Sequence, residues 1–156
     1  MMKADETNIR IPNWLVSFVS QNPILRLAIL QDDNTPHVTP VWFAFDGNAF
    51  YIATDLDKKT GRPTKKVDYI KKNKKVAVVI DSYNPDNWDE VRGVMFQGTA
   101  EFVQENSDEY LYAVKLLKMK YSEYRDKYSD WLEGKRAEKK AIMIKVVPFK
   151  FTFWLE

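Results

Sequence analysis

Short runs in which apolar residues occupy every second position recur along this chain, broken by turn residues and, in a few places, by the three-to-four spacing of a helix. Pro12 opens the first helical pattern, where Trp14, Leu15, Phe18 and Val19 make one apolar face that stops at Asn22-Pro23. Ile24 to Leu30 then predicts a strand, Gln31-Asp32-Asp33-Asn34 a hairpin turn, and Val38 to Phe45 a second strand. Asp46-Gly47-Asn48 supplies residues that tolerate positive φ before Ala49 to Thr54 resumes as strand, so three contiguous antiparallel strands are expected.

The next helical pattern runs from about Thr64 to Asn73, with Val67, Tyr69 and Ile70 on one side and the Thr64 hydroxyl placed to cap the first turn. Val76 to Ile80 is continuously apolar, the pattern of a strand buried on both faces. After a loop from Ser82 to Asp89, Val91 to Val103 alternates, with Gly93 and Gly98 permitting the bends a barrel needs. Ser107 caps a helix that carries Leu111, Val114, Leu117 and Tyr121 on one face, and Ala141 to Leu155 closes the chain as a strand interrupted at Pro148. Five to seven antiparallel strands arriving as hairpins, with a few helices, fit a small closed β-barrel better than a parallel α/β sheet, so the expected class is α+β, or β-barrel with flanking helices.

The chain has 156 residues, 45% hydrophobic and 14% aromatic, enough for one domain spanning 1–156 with a polar tail at residues 1–10. Having no cysteine and a single histidine, His37, it lacks the ligands for a Cys-based or His-rich metal site and has no thiol nucleophile. The polar N-terminal residues lack the core of a signal peptide, and no run of about 18 apolar residues occurs. A cytoplasmic protein is the expectation.

Charge changes this picture locally. The net charge is only +2, yet Lys58, Lys59, Arg62, Lys65, Lys66, Lys71, Lys72, Lys74 and Lys75 face a single acid, Asp68, within one segment. Three readings follow. Lys71, Lys72, Lys74 and Lys75 at a helix C-terminus suit a solvated face that complements the helix dipole. Lys65 and Lys66, with Thr64 and with Lys58, Lys59 or Arg62 nearby, suit a phosphate at a helix N-terminus. A nucleic-acid footprint with aromatic stacking is the third, and it is disfavoured because the aromatics sit in core patterns. The five glycines are scattered, so neither a dinucleotide loop nor a P-loop is present, and His37 has no nucleophile in its neighbourhood. Tyr121, Tyr124, Tyr128 and Trp131 form a helical stripe suited to packing or to a lid, whereas Trp88 in a polar loop is placed to meet a ligand or a partner chain.

Pro36-His37-Val38-Thr39-Pro40-Val41-Trp42-Phe43, Phe50-Tyr51-Ile52-Ala53-Thr54, Thr64-Lys65-Lys66-Val67-Asp68-Tyr69-Ile70, Asn73 to Asp81, and Arg92-Gly93-Val94 leading to Gly98-Thr99-Ala100-Glu101 occur in an order that resembles the FMN-binding split-barrel family, the pyridoxamine-phosphate-oxidase-like flavoproteins. The resemblance covers about Asn22 to Val103. It implies a split β-barrel of antiparallel strands, and a flavin along Thr39, Pro40, Val41 and Trp42, with Thr54 near the ribityl-phosphate chain and the phosphate held by Lys66, Lys65 and Thr64. It further implies a homodimer with cofactor at the subunit interface, completed by Asp81, Trp88 or Gln97 of the partner, and an oxidoreductase acting on a small organic molecule. A deazaflavin coenzyme is the alternative cofactor on the same fold. A non-catalytic flavin-binding protein, or a nucleic-acid-binding module, is the alternative function.

Overall fold

The computed structural model describes residues 9–55, 64–87, 92–135 and 140–155. Helix α1 (Asn13–Gln21) precedes strands β1 (Leu25–Leu30), β2 (Pro36–Val41), β3 (Ala44–Phe45) and β4 (Phe50–Thr54). Helix α2 (Lys65–Lys72) leads into β5 (Lys75–Ser82) and β6 (Arg92–Phe102). Helices α3 (Asp108–Lys120), α4 (Ser122–Asp126) and α5 (Ser129–Leu132) separate these from the last strand, β7 (Ile142–Leu155).

The strands form one antiparallel sheet in the order β2-β1-β5-β6-β7-β4-β3. The expected single strand from Val38 to Phe45 is in fact two, broken at Trp42-Phe43, and the three contiguous strands are two hairpins at opposite edges of the sheet. That break dictates the architecture. Seven flat strands would hold their outer edges about 29 Å apart at ~4.8 Å per neighbour, whereas the three peptide units from Val41 to Ala44 reach about 10 Å. The sheet must therefore curl until its edges nearly meet, giving an α+β split barrel. Pro36 and Pro40 lie on the β2 edge, where a residue without N–H costs no ladder bond and blunts strand addition.

Inside the barrel, Leu25, Leu27, Ile29, Phe43, Phe50, Ile52, Val78, Ile80, Val94, Phe96, Ile144 and Val146 form one core cluster, which α1 covers with Leu15 and Val19 and α2 with Ile70. A second cluster packs α3, α4 and α5 onto the outer face of β4 and β7 through Tyr110, Ala113, Val114, Leu117, Tyr121, Tyr124 and Leu132. Leu111, expected on the inner face of α3, is 60% exposed, and Tyr110 and Ala113 take the buried positions instead. Ser107 caps this helix as expected, its hydroxyl accepting the Tyr110 N–H at 3.1 Å.

Strand β5 alternates rather than being buried on both faces: Val76, Val78 and Ile80 are interior, while Ala77 and Val79 are half-exposed on the outer face. Gly98 marks a register shift against β7, and a Cβ there would lie 2.6 Å from the Val147 carbonyl oxygen. β7 runs on through Pro148, so the expected interruption is a bulge in a continuous strand. In the β3–β4 turn, Asp46 Oδ1 accepts the Asn48 and Ala49 N–H groups, and Gly47 takes φ +94°. Among the described residues no helix is long and apolar enough to cross a membrane.

Candidate functional site

The basic segment enters the structure at Thr64. α2 starts at Lys65 and packs against β1 and β6 through its buried Val67 and Ile70, leaving the charged side outward. Lys72 forms an exposed ion pair with Asp32 at 2.9 Å, in line with the solvated reading of the helix C-terminus. Lys66 differs, being half-buried with no ion-pair partner among the described residues, and burial lowers its pKa below the ordinary lysine value.

Thr64 does not cap the helix as expected. Its hydroxyl makes no bond to the first-turn amides, and Thr64 Oγ1 is buried with no hydrogen-bond partner among the described residues. A buried hydroxyl without a partner costs on the order of 1–3 kcal/mol, so the first turn of α2 holds an unsatisfied oxygen and a desolvated cation two residues apart. An anion such as phosphate is one group that accepts hydrogen bonds from a hydroxyl, an ammonium and the free N–H groups of a helix start. Thr54, at the end of β4, is 7% exposed, the one buried polar or charged residue among the described residues. Lys58, Lys59, Arg62 and Trp88 lie outside the described residues.

The other predicted residues separate by direction. Thr39 and Val41 share the interior face with Leu27 and Leu25, their cross-strand partners, whereas Pro40 points outward with Arg26. Trp42 leaves the strand and stacks flat on Tyr121, centroids 4.9 Å apart, with Tyr124 edge-on at 5.2 Å. Tyr121, Tyr124, Tyr128 and Trp131 thus follow no single helix: the chain breaks after Lys120 into α4 and α5, which fold the stripe back on itself. The Tyr121 hydroxyl accepts the Phe43 N–H at 3.0 Å and has the carbonyl oxygens of Pro23 at 2.7 Å and Phe43 at 3.0 Å as alternative acceptors for its one proton, pinning the link between the two sheet edges.

Asp81 pairs with Arg26 at 2.6 Å on the exposed outer face. Gln97 lies on that same face, lining with Ala28, Leu30, Ala77 and Phe149 a shallow groove of about 400 Å³. His37 is half-buried 6.5 Å from the Tyr69 ring, and its Nδ1 has no partner among the described residues.

Lys120 was not singled out in the sequence. Its Nζ is buried without a hydrogen-bond partner among the described residues, 3.5 Å from the centre of the Phe43 ring, and burial pulls its pKa down to about 8. In sequence it is one more lysine at a helix C-terminus, and no local pattern sets it apart. Among the described residues no group of three or more acidic or His side chains is placed to hold a metal.

Residues 12–154 match the family model described as Pyridoxamine 5'-phosphate oxidase. No curated protein matches the sequence. Solved structures do resemble the fold. The conserved hypothetical protein Rv2991 from Mycobacterium tuberculosis is 21% identical with a TM-score of 0.72, covering 94% of this chain and 86% of its own. The haem storage protein HutZ from Vibrio cholerae is 13% identical at TM-score 0.67, with 94% and 95% covered. An FAD-binding protein from Mesorhizobium loti is 19% identical at TM-score 0.60, with 88% and 87% covered. At these identities the likeness concerns the fold alone, and two of the three proteins are named for different cofactors.

Proposed function

The chain belongs to the pyridoxamine 5'-phosphate oxidase family, and from that premise we propose that it is a cytoplasmic flavin-binding oxidoreductase whose FMN phosphate is held by Lys66, Lys65 and Thr64. The observation that carries this reading is the pairing, in the first turn of α2, of a half-buried ammonium without a counter-ion among the described residues and a buried hydroxyl without a partner. In the proposal the ring lies along Thr39 to Trp42, with Thr54 beside the ribityl chain. Bound there, the flavin would supply hydride or electron transfer with a small organic substrate. The protein's part is to hold the phosphate, to fix the orientation of β2 through the Tyr121 bonds at Phe43, and to exclude water with the barrel wall.

In this reading the functional unit is a homodimer with the cofactor at its interface. Support comes from the outer face of β1, β5 and β6, where Ala28, Leu30, Ala77, Val79 and Met95 are only half-buried in the single chain. Gln97, on that outer face, is proposed for a role across the interface, and so is Trp88.

The test is the visible spectrum of the purified protein, followed by FMN titration. Tight FMN binding that weakens by about 10- to 100-fold in Lys66→Ala, the range of a lost charge-assisted bond, and is unchanged in Lys71→Ala supports the proposal. Equal affinity of the Lys66→Ala protein, or no FMN binding at all, overturns the FMN assignment. The second reading, a deazaflavin coenzyme, is favoured by the density of cations between Lys58 and Lys75, which suits a longer anionic tail. It predicts binding of that coenzyme where FMN fails.

A further inference from the structure

Five aromatic side chains run without a gap from the β2–β3 link to the surface. Trp42 touches Tyr121 and Tyr124, with centroids at 4.9 and 5.2 Å. Tyr124 stacks on Trp131 at 6.2 Å and 18° between planes, and Trp131 meets Tyr128 at 6.4 Å. Tyr121 and Tyr124 are 8% and 4% exposed, whereas Tyr128 is 38% exposed.

Structural hydrogen bonds account for the Tyr121 phenol and the Trp131 indole, but packing alone does not account for the choice of Trp42, Tyr124 and Tyr128. Across Phe43, the aromatic contacts of the barrel core are made by Phe43, Phe45, Phe50, Phe96 and Phe151. The series from Trp42 to Tyr128 contains no Phe. Every ring in it is an indole or a phenol, the aromatic groups that surrender an electron readily, and a phenylalanine would fill a buried apolar position without the need to satisfy a hydroxyl or an N–H.

We propose that these residues form a one-electron relay joining the Trp42 end of the candidate site to solvent at Tyr128. A one-electron oxidant at that end takes an electron from the Trp42 indole. The electron is replaced from Trp131 across the Tyr124 ring, which lies between the two indoles and keeps its proton, and finally from Tyr128, whose phenol gives its proton to water. The net change is one electron gained by the oxidant, one neutral phenoxyl at Tyr128 and one proton in solvent.

Proton disposal fixes the terminus. Tyr121 points its hydroxyl at carbonyl oxygens, which do not take up a proton, and burial makes it and Tyr124 weaker acids than an ordinary phenol. Tyr128 is open to water. Along the way the Trp131 indole N–H donates to Asp55 Oδ1 at 3.3 Å, a carboxylate that favours the oxidised, positively charged ring. A flavin ring along β2, the cofactor of the proposed function, would become such an oxidant on absorbing light. Only that assignment rests on the proposed function, and the test below uses no flavin.

Azidyl radicals, generated by pulse radiolysis of azide solutions, oxidise indoles near neutral pH and are the probe. The expected result is a first-order rise of tyrosyl absorption as tryptophanyl absorption decays, with a rate constant independent of protein concentration. Because Phe offers neither a phenol nor an indole, the rise should lose most of its amplitude in Tyr128→Phe and be roughly tenfold slower in Trp131→Phe. Trp14→Phe, which alters a ring that packs on Phe153 outside the series, should leave it unchanged. A second-order rise, or an unaltered rise in Tyr128→Phe, overturns the relay. Should Trp131→Phe fail to fold by circular dichroism, the exposed Tyr128 position still decides. Failure of FMN binding with an intact rise would reject the cofactor and retain the relay.

Discussion

Replacing Tyr121 by Phe removes one oxygen and leaves the ring that stacks on Trp42. That oxygen is the acceptor for the N–H of Phe43, a residue with no exposed surface, and the donor to Pro23 O or Phe43 O. Without it the Phe43 N–H is buried with no partner, at a cost of about 1–3 kcal/mol, while the carbonyls lose a neutral donor worth ~1 kcal/mol. The retained stacking keeps the loss below that of a full truncation, so about 2 kcal/mol is expected, or a fall of roughly 4–8 °C in Tm for a chain of this size. Urea unfolding of both proteins at one fixed concentration measures it, since any subunit association makes stability depend on concentration. An unchanged m with a lowered midpoint is the expected form. A loss under about 0.5 kcal/mol, within the range of an ordinary surface change, would refute the claim that this hydroxyl pins the two sheet edges together.

Gly98→Ala should be far more damaging than its size suggests, because the new Cβ would lie 2.6 Å from Val147 O and 3.0 Å from Pro148 Cα, both backbone atoms that move only by opening the β6–β7 bulge. A loss of about 2–4 kcal/mol, or no soluble protein, is expected, and wild-type stability in the same urea assay would show the bulge to be soft. Lys120→Met tests the buried ammonium. Its pKa, lowered from 10.5 to about 8, means that the unfolded chain holds a proton the folded chain releases between those values. Wild-type stability therefore rises relative to the variant as pH climbs from about 8 to 10.5, and the penalty is fully present below 8. Taken whole the shift is worth about 3 kcal/mol. Partial exposure and the lost contact with the Phe43 ring reduce the expected gain of the Met variant at pH 7 to about 1 kcal/mol. The same difference at pH 7 and pH 10 would show that the ammonium is not desolvated.

The curled antiparallel barrel and most of its strands were legible from residue pattern, because each hairpin is a local event. Asp46-Gly47-Asn48 makes its turn with its own side chain and its own positive φ, and Ser107 caps α3 within three residues. Lys66 was legible as a phosphate candidate from the charge around it. Its burial and the unpartnered Thr64 hydroxyl were not, since both depend on how α2 lies on the barrel.

Local pattern alone determined most of the element order, the antiparallel class and the position of the basic turn at the head of α2. It could not divide Val38 to Phe45 into two strands at opposite sheet edges, because the run carries no turn signal at Trp42-Phe43 and the break there is set by the curl of the whole sheet. Tertiary structure also decided which apolar face of β5 is interior, that Leu111 is outside, and that Trp42 joins tyrosines some eighty residues away. Those are long-range packing choices among surfaces that are equivalent when read one element at a time, and only closing the barrel and docking the helices on it makes them differ in energy.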